Sequence, residues 1–298
     1  MYNPVSTYRI QFHKGFNFKQ FRAVLPYLTD LGVKTVYASP VFSAAPGSMH
    51  GYDVTDPLTI NPEIGTLSEL RGISKQLKKA GIGWLQDIVP NHMAFHPENK
   101  WLMDVLEHGR TSTWANFFDI LWDVDPVLMV PFLGKHLEAT IDDGELTIVF
   151  EKKKACFSYF GQHYPLSPAS VSRFLIKKSN IQKINGDPRL LKEIAGAQYY
   201  RLCNWAETNT HINYRRFFTV NGLICLNMQE QAVFDTYHHF IAGLVKEGIF
   251  QGLRVDHIDG LYDPASYLAH LRALAGDEVY IVTEKILEAG EEPTLNGS

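Results

Sequence analysis

What this 298-residue chain has little of narrows its function before any motif is considered. It has three cysteines, Cys156, Cys203 and Cys225, an odd number at wide spacing with no CxxC pair, so neither a disulfide framework nor a cysteine-held zinc or redox pair is expected. Buried thiols in a reducing compartment are the expectation instead. No long run of one charge sign occurs, and a net charge of -4 argues against the clustered basic face that a nucleic acid partner needs. Nothing approaches the roughly 20 consecutive apolar residues of a membrane span. The segment Met1-Tyr2-Asn3-Pro4-Val5 lacks the apolar core and small-residue cleavage site of a secretory leader, so a cytoplasmic protein without a membrane partner is expected. GxxxxGK[ST] is absent, as is a glycine-rich turn after the first strand, which leaves nucleotide binding unsupported. His92 and His96 stand four apart, but there is no HExxH and Pro97 follows at once. With no oxygen-rich calcium set visible either, no metal and no cofactor is expected.

What is present describes a globular protein. Apolar residues make up 45% of the chain and charged residues 20%, enough of the first to build a core and too few of the second for disorder. Short apolar runs with strand character alternate with helix-period segments, the rhythm of βα units around a parallel sheet. Strands are expected at 7–12, 36–40, 82–89, 252–258 and 279–283, and helices at 18–31, 67–80, 231–246 and 265–274, with Gly32 and Gly81 ending the first two helices. Between about Asn91 and Met228 the rhythm fails. That segment is rich in aromatics, and 146–150 followed by 155–160 reads as an antiparallel hairpin with Lys152 to Lys154 at its solvated turn. It is too long for a βα loop, so an inserted subdomain over 93–228 is expected, with 1–92 and 229–298 forming the main domain. The fold expected is α/β, a (β/α)8 TIM-type barrel that is incomplete, about five of its strands being present. No feature fixes an oligomeric state.

In such a barrel, catalytic side chains stand at the C-terminal ends of strands. Three of those ends carry polar clusters: Asp87-Ile88-Val89-Pro90-Asn91-His92, Arg254-Val255-Asp256-His257, and Thr283-Glu284-Lys285. Strand side chains alternate, so Arg254 and Asp256 share a face, and an Arg beside an Asp holds the carboxylate ionised and aimed. Glu284 on the next strand would supply the second carboxylate of a glycosidase pair; the alternative is an ordinary structural salt bridge.

These clusters resemble conserved regions of the alpha-amylase family of glycoside hydrolases, family 13. The resemblance implies that Asp256 is a nucleophile, Glu284 a general acid/base and Arg254 the residue orienting Asp256. It makes His92 a sugar-binding residue, with Asp87 and Asn91 as supports. Gly51-Tyr52-Asp53-Val54 resembles the second-strand loop of that family, where the position of Tyr52 stacks on the reacting sugar and that of Asp53 shapes the pocket. The stretches 6–13, 37–40, 46–54, 212–218, 252–264 and 284–287 are similar to family members that turn the reducing-end α-1,4 link of a maltooligosaccharide into an α,α-1,1 link. His50 and His257 lie in these stretches and are expected to bind the maltooligosaccharide substrate. An aromatic-rich insertion is expected to act as a lid, with one or two of Trp101, Trp114, Trp122, Trp205, Tyr214, Phe217 and Phe218 as sugar platforms and the rest in the core. The family's third catalytic Asp, on the seventh strand, has no counterpart in these residues. The alternatives are plain α-1,4-glucan hydrolysis, which needs the same carboxylates and a more open acceptor side, and a non-catalytic glycan-binding fragment, which that missing Asp suggests.

Overall fold

The computed structural model describes residues 2–287 and 289–291. The chain divides into two compact units, one formed by the residues up to Asn91 and from Met228 onward, the other by His92–Asn227.

The first unit holds five parallel strands, β1 (Thr7–Ile10), β2 (Thr35–Ala38), β3 (Gly83–Ile88), β4 (Gly252–Val255) and β5 (Tyr280–Thr283), hydrogen-bonded side by side in chain order. This is the strand order of the first five units of a (β/α)8 barrel, and among the described residues the sheet is open. Among the described residues four helices accompany it: α1 (Phe18–Asp30), α2 (Leu67–Lys79), α3 (Gln231–Lys246) and α4 (Pro264–Ala275). The first two begin on capping boxes, Asn17 with Gln20 and Thr66 with Glu69, and each buries one apolar stripe, Phe18, Phe21, Leu25 and Leu28 on α1 and Leu70, Ile73 and Leu77 on α2. Gly32 at φ 80° and Gly81 at φ 69° take the left-handed conformation that ends both, as their sequence positions suggest. Pro26 sits inside α1 without ending it and lies on the exposed side. At the centre of the core, Phe12 stacks on Trp84 at 6.0 Å, with Phe18 and Phe21 set edge-on to Phe12. The indole N–H of Trp84 donates to Gln86 Oε1 at 3.0 Å, so its burial leaves no donor unpaired.

Two details differ from the sequence reading. The stretch between β2 and α2 is not a plain loop: Phe42–Ala44 pairs antiparallel with Val54–Ile60. One of those strands has only three residues and the register shifts twice, so period-two alternation is too short to detect. Strand β4 ends at Val255, because His257 turns to φ 49° and Ile258–Gly260 closes into a single 3-10 turn.

The second unit contains the expected hairpin, Leu146–Glu151 against Lys154–Tyr159, extended by a third antiparallel strand, Gln162–Pro165. Lys152 and Lys153, at φ 45° and 74°, form the tight turn, while Lys154 already belongs to the strand and pairs with Glu107 at 2.7 Å. Leu128–Leu133 runs parallel to Tyr200–Asn204, and His92–Ala94 antiparallel to Leu223–Cys225. Trp101 stacks on Trp114 at 4.5 Å and Tyr214 is buried, whereas Trp205 and Phe218 are largely exposed. All three cysteines are buried and none is in a disulfide, and burial pushes the thiols of Cys156 and Cys203 up to about 11, which makes them poor nucleophiles. No helix among the described residues is long and apolar enough to cross a membrane.

Candidate active site

The polar residues of the first unit converge where β3, β4 and β5 end. Register places Arg254 of β4 opposite Asp87 of β3. Asp256 follows β4 directly, its N–H donating to Ile88 O at 2.9 Å, and Glu284 follows β5, its N–H donating to Val255 O at 2.9 Å. Three neighbouring strands thus deliver three carboxylates and one guanidinium to the same edge of the sheet.

Arg254 holds all three carboxylates. Its Nη1 donates to Asp87 Oδ1 at 2.9 Å and Oδ2 at 3.0 Å, and to Asp256 Oδ1 at 2.6 Å. Its Nη2 lies 2.8 Å from Glu284 Oε1. The other Glu284 oxygen accepts the backbone N–H of His257 at 3.1 Å. The planar fork is suited to this task, since it can aim several donors at once and does not lose its charge.

Asp87 is the buried hub, with no exposed surface. It accepts the hydroxyls of Tyr37 at 2.9 Å and Tyr52 at 2.6 Å besides the Arg254 fork, and Arg9 Nη1 stands 3.9 Å away. Burial raises its pKa while Arg254 pulls it back. Burial, reinforced by the charge of Asp87, pushes Tyr37 up to about 12 and raises Tyr52 further, so both hydroxyls stay protonated and act as donors. Asp256 is 8% exposed, and burial first, then the charge of Asp87, push it up to about 7 in spite of Arg254. Arg254 therefore works against burial and the neighbouring Asp87 carboxylate in keeping Asp256 ionised.

The remaining expected residues fall in different places. Tyr52 joins the cluster through Asp87. His50 is half-exposed, its Nδ1 accepting the N–H of Tyr52 at 3.0 Å and lying 3.7 Å from Asp53 Oδ1, while Asp53 also accepts the Ser48 hydroxyl. His257 reaches the cluster through its backbone. Asn91 is buried, and Gly260 is obligatory beside it: a Cβ there would lie 2.5 Å from Asn91 Oδ1 and 2.4 Å from the His257 ring. His92 belongs to the second unit, where its strand pairs with Cys225 and its ring centroid lies 4.7 Å from that of Phe217. The sequence reading missed Arg9 and the role of Tyr37. Both stand on strands that flank the site, and a charged or hydroxylated side chain near the outgoing end of such a strand was the available signal. Among the described residues, no group of three or more His, Cys, Asp or Glu side chains is arranged to hold a metal ion.

A parallel βα sheet with a guanidinium-clasped carboxylate group at its strand ends is the frame of a glycoside hydrolase of the amylase type. The chain belongs to the alpha-amylase family, whose catalytic-domain model matches residues 21–272, and the fold is accordingly an incomplete TIM barrel. Within the family it is similar to the putative maltooligosyl trehalose synthase of Mycobacterium tuberculosis (strain ATCC 25618 / H37Rv), at 39% identity over 303 residues, covering 98% of this chain and 36% of that protein. A solved maltooligosyl trehalose synthase superposes with a TM-score of 0.84 at 38% identity, over 98% of this chain and 37% of that one. The maltooligosyltrehalose synthase of Arthrobacter ramosus gives a TM-score of 0.83 at 34% identity, over 97% and 35%. The chain spans little more than a third of the length of these relatives.

Proposed function

We propose that the chain carries the nucleophile and the proton-transferring carboxylate of an intramolecular transglycosylase acting on cytoplasmic maltooligosaccharides. The observation that supports this best is the Arg254 fork, which aims Asp256 and Glu284 from adjacent strand ends. In this reading Asp256 attacks the anomeric carbon next to the reducing-end glucose. The bond from that carbon to the glucose oxygen breaks as Glu284 gives the oxygen its proton, leaving a covalent glycosyl-enzyme. Glu284, now a carboxylate, takes the proton from the anomeric hydroxyl of the released glucose. That oxygen attacks the same carbon and displaces Asp256. An α-1,4 link has become an α,α-1,1 link, and no water is consumed. The residues 1–92 and 229–298 form the catalytic domain in this reading, and 93–228 a subdomain inserted into it. The third carboxylate that the family places on a seventh strand lies outside the five strands described.

The test is the product made from maltopentaose by the enzyme that contains this chain. The reducing-sugar signal should fall as a non-reducing pentasaccharide accumulates, with free glucose as a minor by-product. A reducing-sugar signal that rises steadily, with shorter maltooligosaccharides as main products, would identify a hydrolase instead.

The pH profile gives a second check. Asp256 attacks only as the carboxylate and its pKa is pushed up to about 7, so activity should be lost as pH falls through about 7. The measurement is log kcat/KM against pH, where the acid limb reports the free enzyme. A limb near pH 4 would mean that burial of Asp256 is not what governs its ionisation.

A further inference from the structure

Arg9 and Gln11 of the first strand's outgoing end both engage the loop that carries Tyr52. Gln11 Nε2 donates to Met49 O at 2.7 Å, and Arg9 Nη2 donates to the Tyr52 hydroxyl at 3.1 Å. The two are tied to each other, Arg9 Nη2 also donating to Gln11 Oε1 at 3.3 Å. The Arg9 guanidinium lies over the Tyr37 ring, 4.9 Å from its centroid, which fixes its plane. On its other side the loop is held by Glu63, whose carboxylate accepts the N–H of Gly47 at 3.0 and 3.2 Å. Gly51, at φ 81°, passes so close to Pro40 that a Cβ would lie 2.6 Å from its carbonyl oxygen. The loop is thus pinned from both sides, although its tip at Met49 and His50 is about half-exposed.

We propose that Arg9 and Gln11 are positioning residues that hold the Tyr52 loop as a fixed wall of the sugar site, and so set how much released glucose is transferred back and how much escapes. The idea rests on the transglycosylase reading above. Tyr52 is the element through which Arg9 acts: its hydroxyl is shared between Arg9 and the buried Asp87, so the ring is held at its polar end by two partners. Returning glucose must find the glycosyl-enzyme in an attacking geometry before water does, and a displacement of about 1 Å in a positioning group can cost such a step a hundredfold. A wall that shifts would admit water and release glucose without abolishing the first step, which belongs to Asp256 and Glu284.

The experiment is the ratio of free glucose to non-reducing product from maltopentaose, measured in the enzyme containing this chain for wild type, Arg9→Met, Gln11→Ala, Tyr52→Phe and the Arg9→Met/Tyr52→Phe pair. The expected result is a roughly tenfold rise in the ratio for Arg9→Met, with a smaller rise for Gln11→Ala and total substrate consumption less affected. In the Tyr52→Phe background, Arg9→Met should add little, because the hydroxyl through which it acts is gone. Equal effects of Arg9→Met in both backgrounds, or an unchanged ratio in both Arg9→Met and Gln11→Ala, would overturn the proposal. Should Arg9→Met fail to fold, Gln11→Ala decides, since Gln11 is exposed and its side chain bonds only to Met49 and Arg9 in the contacts above. A wild-type enzyme that makes no non-reducing product removes the transglycosylase reading itself, which is a different failure from a wild type that makes it and variants that partition it alike.

Discussion

If Asp256 is the nucleophile as proposed, replacing it by Asn in the enzyme that contains this chain should lower kcat on maltooligosaccharides by about 10^4-fold or more, because the amide keeps the shape of the carboxyl but cannot attack. Glu284→Gln should cost about 10^2- to 10^4-fold on the same substrate, the range of a lost proton donor. The two variants part on α-glucosyl fluoride, whose leaving group needs no proton. Glu284→Gln should still form the glycosyl-enzyme from it, visible as an added glucosyl mass on the protein, and Asp256→Asn should form none. Equal turnover of the fluoride by both variants would sink this division of roles. The loss in Asp256→Asn is expected without unfolding. Burial raises the pKa of this carboxyl to about 7, so its ionisation, which sets in as pH rises through about 7, opposes the folded state. A neutral amide removes that opposition, while Arg254 keeps its fork on Asp87. The Tm of Asp256→Asn at pH 8 should therefore be no lower than that of the wild type.

Much of this site could be read from residue order, for a definite reason. Strand side chains alternate, strands β3, β4 and β5 follow one another around the sheet, and polar residues at their ends have nowhere to go but the same edge. That logic places Asp87, Arg254, Asp256 and Glu284 together before any coordinate is known. It stops where three-dimensional environment takes over. Whether Arg254 or burial governs Asp256 depends on how much water and which second carboxylate lie beside it, and Asp87 is far away in sequence. Arg9 and Tyr37 were missed because both stand on four-residue strands, too short for alternation to mark a face, and only register shows that Tyr37 points its hydroxyl at Asp87. The pairing of Phe42–Ala44 with Val54–Ile60 was missed because shifted register erases the alternation on which a strand is recognised. His257 read as the continuation of a strand, yet it takes a left-handed turn that sends its backbone N–H, rather than a strand partner, to Glu284.

The substitution with the broadest expected consequence is Arg254→Met. Among the described residues it leaves Asp87 buried with two hydroxyls and the more distant Arg9 as partners, and removing one member of a buried charge pair typically costs about 3–5 kcal/mol of stability. Asp87 would then take up a proton or the site would admit water, and in either case the aim of Asp256 is lost. Catalysis should fall by roughly a thousandfold in kcat/KM, the scale of losing a preorganised electrostatic contact that also positions the nucleophile. Arg254→Lys separates charge from geometry. An ammonium restores one positive charge beside Asp87 and should recover part of the Tm, but it cannot point donors along two arms of a fork at Asp256 and Glu284, so most of the activity should stay lost. The residual activity carries its own signature. Arg254 works to lower the pKa of Asp256 against burial, so without its fork the acid limb of log kcat/KM should move upward from about 7 and the residual rate should peak at more alkaline pH. An Arg254→Lys enzyme with near wild-type kcat/KM and an unmoved acid limb would show that charge alone holds this site, and that the three-way clasp is not what aims Asp256.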